Sequence, residues 1–397
     1  MFANEIDKCF NIVSKCVYMY QPNETKNKQK KEQSDEKSKN QTKKKKTNKR
    51  RKKRKKRKTE KHYQSTYTAC GAIPLLIILM KTVVFTIRRK EILWLIKYAQ
   101  KHFWHDKYDS FGKKTMDNLD KRAIIFMSSF TVLIYATVII YSLSPILENI
   151  GKGSEDRVLP FPFRWFDLPT STTPYYEILF VIETLSAVHS GVCFCCFDNF
   201  LCILFMHVGG QFKILQNQLQ TIMTNESSKD KSAGIYNEFK HCLKSHYALL
   251  SYVDKLEYVF CFPLMIQLLV SSVVLCVSGF QICLVDGIFM KRLLFLMYFL
   301  GGLIQIYLIT LNCNDIMEES SAIGNAIYNS DWETKPYGDF YQIRKDMIIV
   351  MVRAKRPCYI TAWKFFPISL ESFTKVLSMT ASYYTLLCTM ESDVIEQ

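Results

Sequence analysis

From Lys355 the chain reads KRPCYITAWKFFPISLESFTKVLSMTASYYTLLCTM, ending at Met390, and seven residues follow. Within this stretch Ile368–Met390 is 23 residues long. As a helix it spans about 35 Å, enough for a hydrocarbon core of about 30 Å. It is not uniformly apolar. Lys375, Ser378, Ser382, Thr385 and Thr389 recur at steps of three and four, which places them on one helical face. A spanning helix with a polar stripe must turn that stripe away from lipid, toward another helix or toward water. The stretch therefore predicts a bundle of membrane helices, with a conducting bundle as one of its two readings. In the other, the hydroxyls serve as hydrogen-bonding groups between helices.

Working outward, the candidate spans are 69–87, 123–147, 177–206, 258–285, 293–313 and 368–390. The second, fourth and fifth carry no charge. The first contains Pro74 and Lys81, the latter expected near the cytosolic end with its ammonium reaching toward water. The third carries Glu183, His189 and Asp198, so it must face a bundle interior or continue beyond the bilayer. The connecting segments obey the positive-inside pattern. Loops 88–122, 207–257 and 314–367 read as cytosolic, 148–175 and 286–292 as external. Phe239–Tyr258 continues the helix of the fourth span inward, and Asp339–Ala354 is a further amphipathic helix ended by Pro357. Segments 207–257 and 314–367 are thus helical parts of a cytosolic anchor.

The net charge of +17 belongs almost wholly to one end. Residues 1–66 hold 23 Lys/Arg against 7 Asp/Glu, and 67–397 hold 30 against 29. Between Lys43 and Lys58 only Thr47 and Asn48 are uncharged, a run that repels itself and buries no core. The tail is expected to be disordered and, lacking interleaved aromatics, not to bind nucleic acid. Its charge resists crossing the bilayer, yet alternation across span 69–87 would put it outside. One more span upstream would resolve the conflict, and this sequence does not contain it. Most of the 14 cysteines lie in apolar runs and none in loop 148–175, so they read as free thiols. Sequons at Asn23, Asn40 and Asn225 fall where no glycan is expected. No HExxH, GxSxG or P-loop motif appears, so the chain does not read as an enzyme.

Four blocks in order resemble the insect odorant receptor family: Leu159–Ile178 (LPFPFRWFDLPTSTTPYYEI), Asp198–Leu219 (DNFLCILFMHVGGQFKILQNQL), Glu318–Trp332 (EESSAIGNAIYNSDW), and Pro357–Leu387 with its TAxKFFP core and SYYTLL ending. The likeness covers roughly residues 68–390. It implies an all-α, multi-pass bundle of seven helices with a cytosolic N-terminus, of which the first family helix is missing or replaced here. It also implies an odorant-binding subunit of a ligand-gated nonselective cation channel. That channel is a heterotetramer with a co-receptor, in the plasma membrane of a sensory dendrite, with no cofactor. The final helix would line the pore, with Leu386 and Met390 as the hydrophobic gate and Thr389, Ser382 and Thr385 along the ion path. A small, volatile, apolar ligand would sit in the outer half of the bundle among Leu76, Met80, Tyr135, Ile139, Ser142, Ile182, Ser186, His189, Tyr298 and Phe299, with Ile77 and Phe295 beside them. A gustatory-type receptor is the alternative in the same class. A secondary transporter is the more distant one, since no inverted repeats or midplane helix breaks are evident.

Overall fold

The computed structural model describes residues 71–104, 108–151, 153, 157–161, 172–223, 231–284, 289–334 and 337–396. The basic tail, the three sequons and the middle of the block Leu159–Ile178 lie outside them. The described chain is helical apart from one two-stranded hairpin. Helix α1 (Gly71–Ile87) meets α2 (Arg89–His102) at a 73° bend on Arg88. There follow α3 (Ser110–Asn149), α4 (Tyr175–Thr221), α5 (Lys231–Leu284), α6 (Phe289–Tyr328), a 3-10 turn (Trp332–Thr334) and α7 (Tyr337–Ala354). The hairpin pairs β1 (Thr361–Ala362) with β2 (Phe366–Pro367), and α8 (Leu370–Glu396) ends the chain.

These apolar runs become helices because nothing else satisfies backbone N–H and C=O groups in lipid. Among the described helices, α3, α4, α5 and α6 are each long and apolar enough to cross a membrane, and α1 and α2 meet the same test only as a bent pair. The α8 helix, with 27 residues, has the length, but its polar stripe lowers its hydropathy. With 40 to 54 residues each, α3 to α6 reach well past a bilayer. The expected inward continuation of the fourth span is present, as α5 runs unbroken from Lys231. The same holds more widely than the sequence suggested: α4 carries on to Thr221 and α6 to Tyr328.

The core follows those extensions. Its main cluster joins Phe205, Phe212 and Leu219 of the inner part of α4, and Met223 just past its end, to Phe239, Tyr252 and Phe260 of α5, Ile316 and Ile327 of α6 and Met347 of α7. By contrast, the outer parts of α3 and α4 leave Val132, Leu185 and Val181 exposed. In a membrane protein those side chains face lipid or another subunit rather than water. Cys193, Cys195, Cys202, Cys242, Cys276 and Cys313 are free thiols, in keeping with the apolar runs that hold them.

Candidate functional site

The TAxKFFP motif forms the hairpin that launches α8. Of the three residues between the paired ends Ala362 and Phe366, Trp363 (φ 45°) and Lys364 (φ 62°) occupy the left-handed region, and Phe365 N donates to the Ala362 carbonyl at 3.0 Å. Neither is glycine, so each costs about 1–2 kcal/mol. Contacts to α5 offset the cost. Trp363 N donates to the carbonyl of Cys261 at 3.2 Å, and Thr361 Oγ1 donates to Glu257 Oε1 at 2.6 Å. Thr361 Oγ1 also accepts from Lys364 N at 3.0 Å, and the Trp363 ring meets Phe262 edge-on at 5.5 Å. Ser369 and Ser372 then cap α8 reciprocally, each backbone N–H reaching the other's hydroxyl at 2.7 and 3.4 Å. The hairpin thereby fixes where α8 leaves α5.

Helix α8 packs Ser372, Val376 and Thr380 inward, against α5 and α6, with Ile368 buried just before it. The opposite face carries the stripe. Lys375, Ser378, Ser382, Thr385, Leu386 and Thr389 are all exposed on the single chain, Leu386 at 55 %. The hydroxyls turn back onto their own helix: Ser382 donates to the carbonyl of Ser378 at 3.0 Å, Thr385 to Ser382 at 2.8 Å and Thr389 to Thr385 at 2.9 Å. Their donors thus need no neighbouring helix of the same chain. The Met390 side chain lies outside the described residues.

The ten positions expected to face a ligand divide by orientation. Leu76, Tyr135, Ile139, Ile182, Ser186 and His189 are exposed on the single chain, while Met80, Ser142, Tyr298 and Phe299 are half-buried. Of the flanking pair, Ile77 and Phe295 are buried. Tyr298 joins Ile73, Val273, Val277, Ile282 and Phe295 in one apolar cluster of α1, α5 and α6. Phe299 lies near α8: a Cβ on Gly279 would stand 3.6 Å from the Phe299 ring and 3.8 Å from that of Tyr384. Ser142 donates to its own helix at Val138, and His189 Nε2 lies 3.6 Å from Cys193 Sγ.

One constellation was not foreseen. Lys81 does not reach toward water. It is 6 % exposed, and its Nζ lies 2.5 Å from Asp198 Oδ1. The other Asp198 oxygen accepts from Gln305 Nε2. Gln267 Nε2 donates to Gln305 Oε1 at 2.7 Å and to Ser271 Oγ at 2.8 Å. The ammonium also stands 4.9 Å from the centre of the Phe194 ring. Helices α1, α4, α5 and α6 are thus cross-linked by one buried polar network. The sequence held the signal, a lone cation in one apolar run and carboxylates in another, because each charge in lipid requires a partner. Glu183, buried nearer the outer end of α4, accepts from Phe161 N at 2.9 Å and ties the external loop to the bundle.

The description "7tm Odorant receptor" belongs to the family model that matches residues 67–381. Odorant receptor 13a of Drosophila melanogaster is 25% identical over 283 residues, which is 67% of this chain and 66% of that one. Odorant receptor Or2 of Anopheles gambiae is 29% identical over 238 residues, 58% of this chain and 61% of its own. The alignments therefore span just under two thirds of those two relatives. The fold resembles the solved insect olfactory receptor OR5 of Machilis hrabei in complex with eugenol, with a TM-score of 0.72 at 15% identity. That likeness covers 83% of this chain and 82% of the other. With the family match running from the edge of α1 into α8, over the same helices that the charge pattern and the hairpin organise, the chain belongs to the 7tm odorant receptor family, as a multi-pass membrane protein and not an enzyme.

Proposed function

We propose that this chain is the odorant-binding subunit of a ligand-gated, nonselective cation channel, assembled with co-receptor subunits as a heterotetramer in the plasma membrane. The observation that carries this reading is α8. Its polar stripe faces away from its own bundle, and the Ser382, Thr385 and Thr389 hydroxyls donate within the helix. Water solvates the hydroxyl oxygens and the exposed Lys375 on such a face better than lipid does, so it suits a shared aqueous path between subunits. Leu386, on the border of that face, supplies the apolar constriction together with Met390. A ring of such side chains closes by excluding water and conducts once it widens. Ser382, Thr385 and Thr389 offer oxygens to ions on either side.

The cytosolic part supports assembly. Tyr341, Ile348, Ile349 and Val352 of α7, with Trp363 and Phe365 of the hairpin, are each about half exposed in a region read as cytosolic. Apolar side chains gathered there favour contact with neighbouring subunits. For the ligand, a small apolar odorant lodges in the outer half of the bundle. The ten positions from Leu76 to Phe299 set out above are the candidate contacts, the half-buried Met80, Ser142, Tyr298 and Phe299 the innermost. Phe299 gives the ligand a route to the gate. A molecule that displaces its ring moves it against Gly279 and Tyr384, and Tyr384 is two residues from Leu386. The testing experiment is whole-cell recording with an odorant panel from cells expressing the chain with and without a co-receptor. The reading expects odorant-evoked cation current only when both are present. Odorant responses that run through a second messenger, with no current in excised patches, would overturn it.

A further inference from the structure

At the bend on Arg88 the chain turns from a membrane span onto α2, which for an upright α1 lies close to the bilayer plane. Ile92, Leu95 and Ala99 of α2 pack into the core. The opposite face exposes Lys90, Trp94, Lys97 and Lys101 at steps of four, three and four, with Leu93 exposed beside them. Cations converge on the α5 side as well. The Arg88 guanidinium stands 4.4 Å from the centre of the Tyr258 ring and donates to the Tyr258 carbonyl at 3.2 Å. Lys255 Nζ lies 4.9 Å from the same ring. Between the two helices Lys90, Glu91, Trp94, Ser251, Asp254 and Lys255 line an open groove of about 580 Å³. Its α5 wall begins three residues below Tyr258, where the span enters the membrane, and extends to the seventh. The groove therefore lies about 5–10 Å beneath the bilayer surface.

We propose that this groove is a binding site for the headgroup of a phosphorylated inositol phospholipid in the cytosolic leaflet. Its mixture of groups selects that chemistry over a simple anion. Lys90 and Lys255 are donors only and suit phosphate oxygens, whereas Glu91 and Asp254 would repel a bare phosphate or carboxylate. Those two carboxylates, together with Ser251, accept hydrogen bonds from ring hydroxyls. Trp94, stacked on Tyr98 at 4.7 Å, offers a flat face to the ring itself. Exposed Ile87 and Leu93 lie on the side from which acyl chains descend, and Lys97 and Lys101 extend the attraction to the anionic leaflet. This site does not depend on channel function.

The test uses full-length protein purified in detergent and native mass spectrometry with added phosphatidylinositol bisphosphate or phosphatidylserine. The bisphosphate is expected to bind at least about tenfold more tightly than phosphatidylserine. Lys90→Ala with Lys255→Ala should remove that preference. Lys90→Arg with Lys255→Arg should keep it, as should Lys113→Ala on exposed α3. Thermal unfolding of each variant separates loss of binding from loss of fold. Equal retention of the two lipids, or full preference in a folded double alanine variant, overturns the assignment. So does competition by soluble inositol trisphosphate at the potency of the lipid, since the site would then serve a free headgroup.

Discussion

Replacing Asp198 with asparagine removes one charge from the most buried polar network in the molecule. The substitution keeps size and shape, and an amide oxygen can still accept from Gln305. What it cannot do is neutralise Lys81, whose side chain is 6 % exposed and whose ammonium has Asp198 at 2.5 Å. Breaking a buried pair from one side costs about 3–5 kcal/mol, because the surviving charge stays in a medium that solvates it poorly. Against a domain stability of about 5–15 kcal/mol, that is a large share. Replacing both partners by apolar residues, Lys81→Met with Asp198→Leu, removes the problem and the attraction together, and is expected to cost about 1 kcal/mol or less. The assay is denaturant unfolding of full-length protein in detergent for wild type, both single variants and the double, read as a double-mutant cycle. The expected coupling energy exceeds about 2 kcal/mol. A single variant within about 1 kcal/mol of wild type would refute the reasoning, as would a double variant no better than the worse single one.

Three further perturbations follow from other parts of the molecule. Gly279→Val places methyl groups between Phe299 and Tyr384, where a Cβ alone already stands at 3.6 and 3.8 Å. Odorant-evoked current should fall about tenfold at unchanged surface density, about 1.4 kcal/mol of lost coupling, and an unchanged dose–response curve counts against the Phe299–Tyr384 route. Lys364→Gly relieves a left-handed backbone at an exposed position and should raise stability by about 1 kcal/mol, while Lys364→Val should lower it, both read by thermal unfolding. His246, buried in the part of α5 that precedes its apolar span, has its pKa pushed down to about 4, first by burial and then by nearby Arg353. A base whose folded pKa is depressed contributes stability above its unfolded value near 6.5 and loses it as pH falls toward 4. The loss is on the order of 3 kcal/mol, and His246→Phe should flatten unfolding free energy across that window.

Much of the fold was legible because its strongest signals are one-dimensional. Uncharged runs such as 123–147 and 293–313 have one outcome in lipid, and the alternation of basic and less basic loops orders them. Even the inward extension of α5 could be read from the spacing of Phe239, Leu243, Tyr247, Leu250 and Val253. The break at Arg88 could not, since no proline or glycine marks it and the bend is held by α5 contacts to Tyr258. Nor could the hairpin, whose left-handed positions are a tryptophan and a lysine where such turns favour glycine or asparagine. For the stripe of α8, polar residues in an apolar helix declare their own face. Ligand-facing positions lack such a marker: a helix apolar all round, like the outer half of α3, does not show which side turns inward. Tyr135 and Ile139 are exposed and Ile77 and Phe295 buried, a division that the apolar sequence does not mark. The Lys81–Asp198 pair falls between these cases, as sequence required a partner for each charge and only the packing of α1 on α4 joined them.

The most direct measurement is the resting current of cells expressing Leu386→Asp with the co-receptor, recorded beside wild type at matched surface density. If α8 lines the ion path and Leu386 excludes water from its narrowest point, a carboxylate there keeps that point wet, and a cation leak appears without odorant. A silent baseline together with an unaltered odorant response would show that ions pass elsewhere.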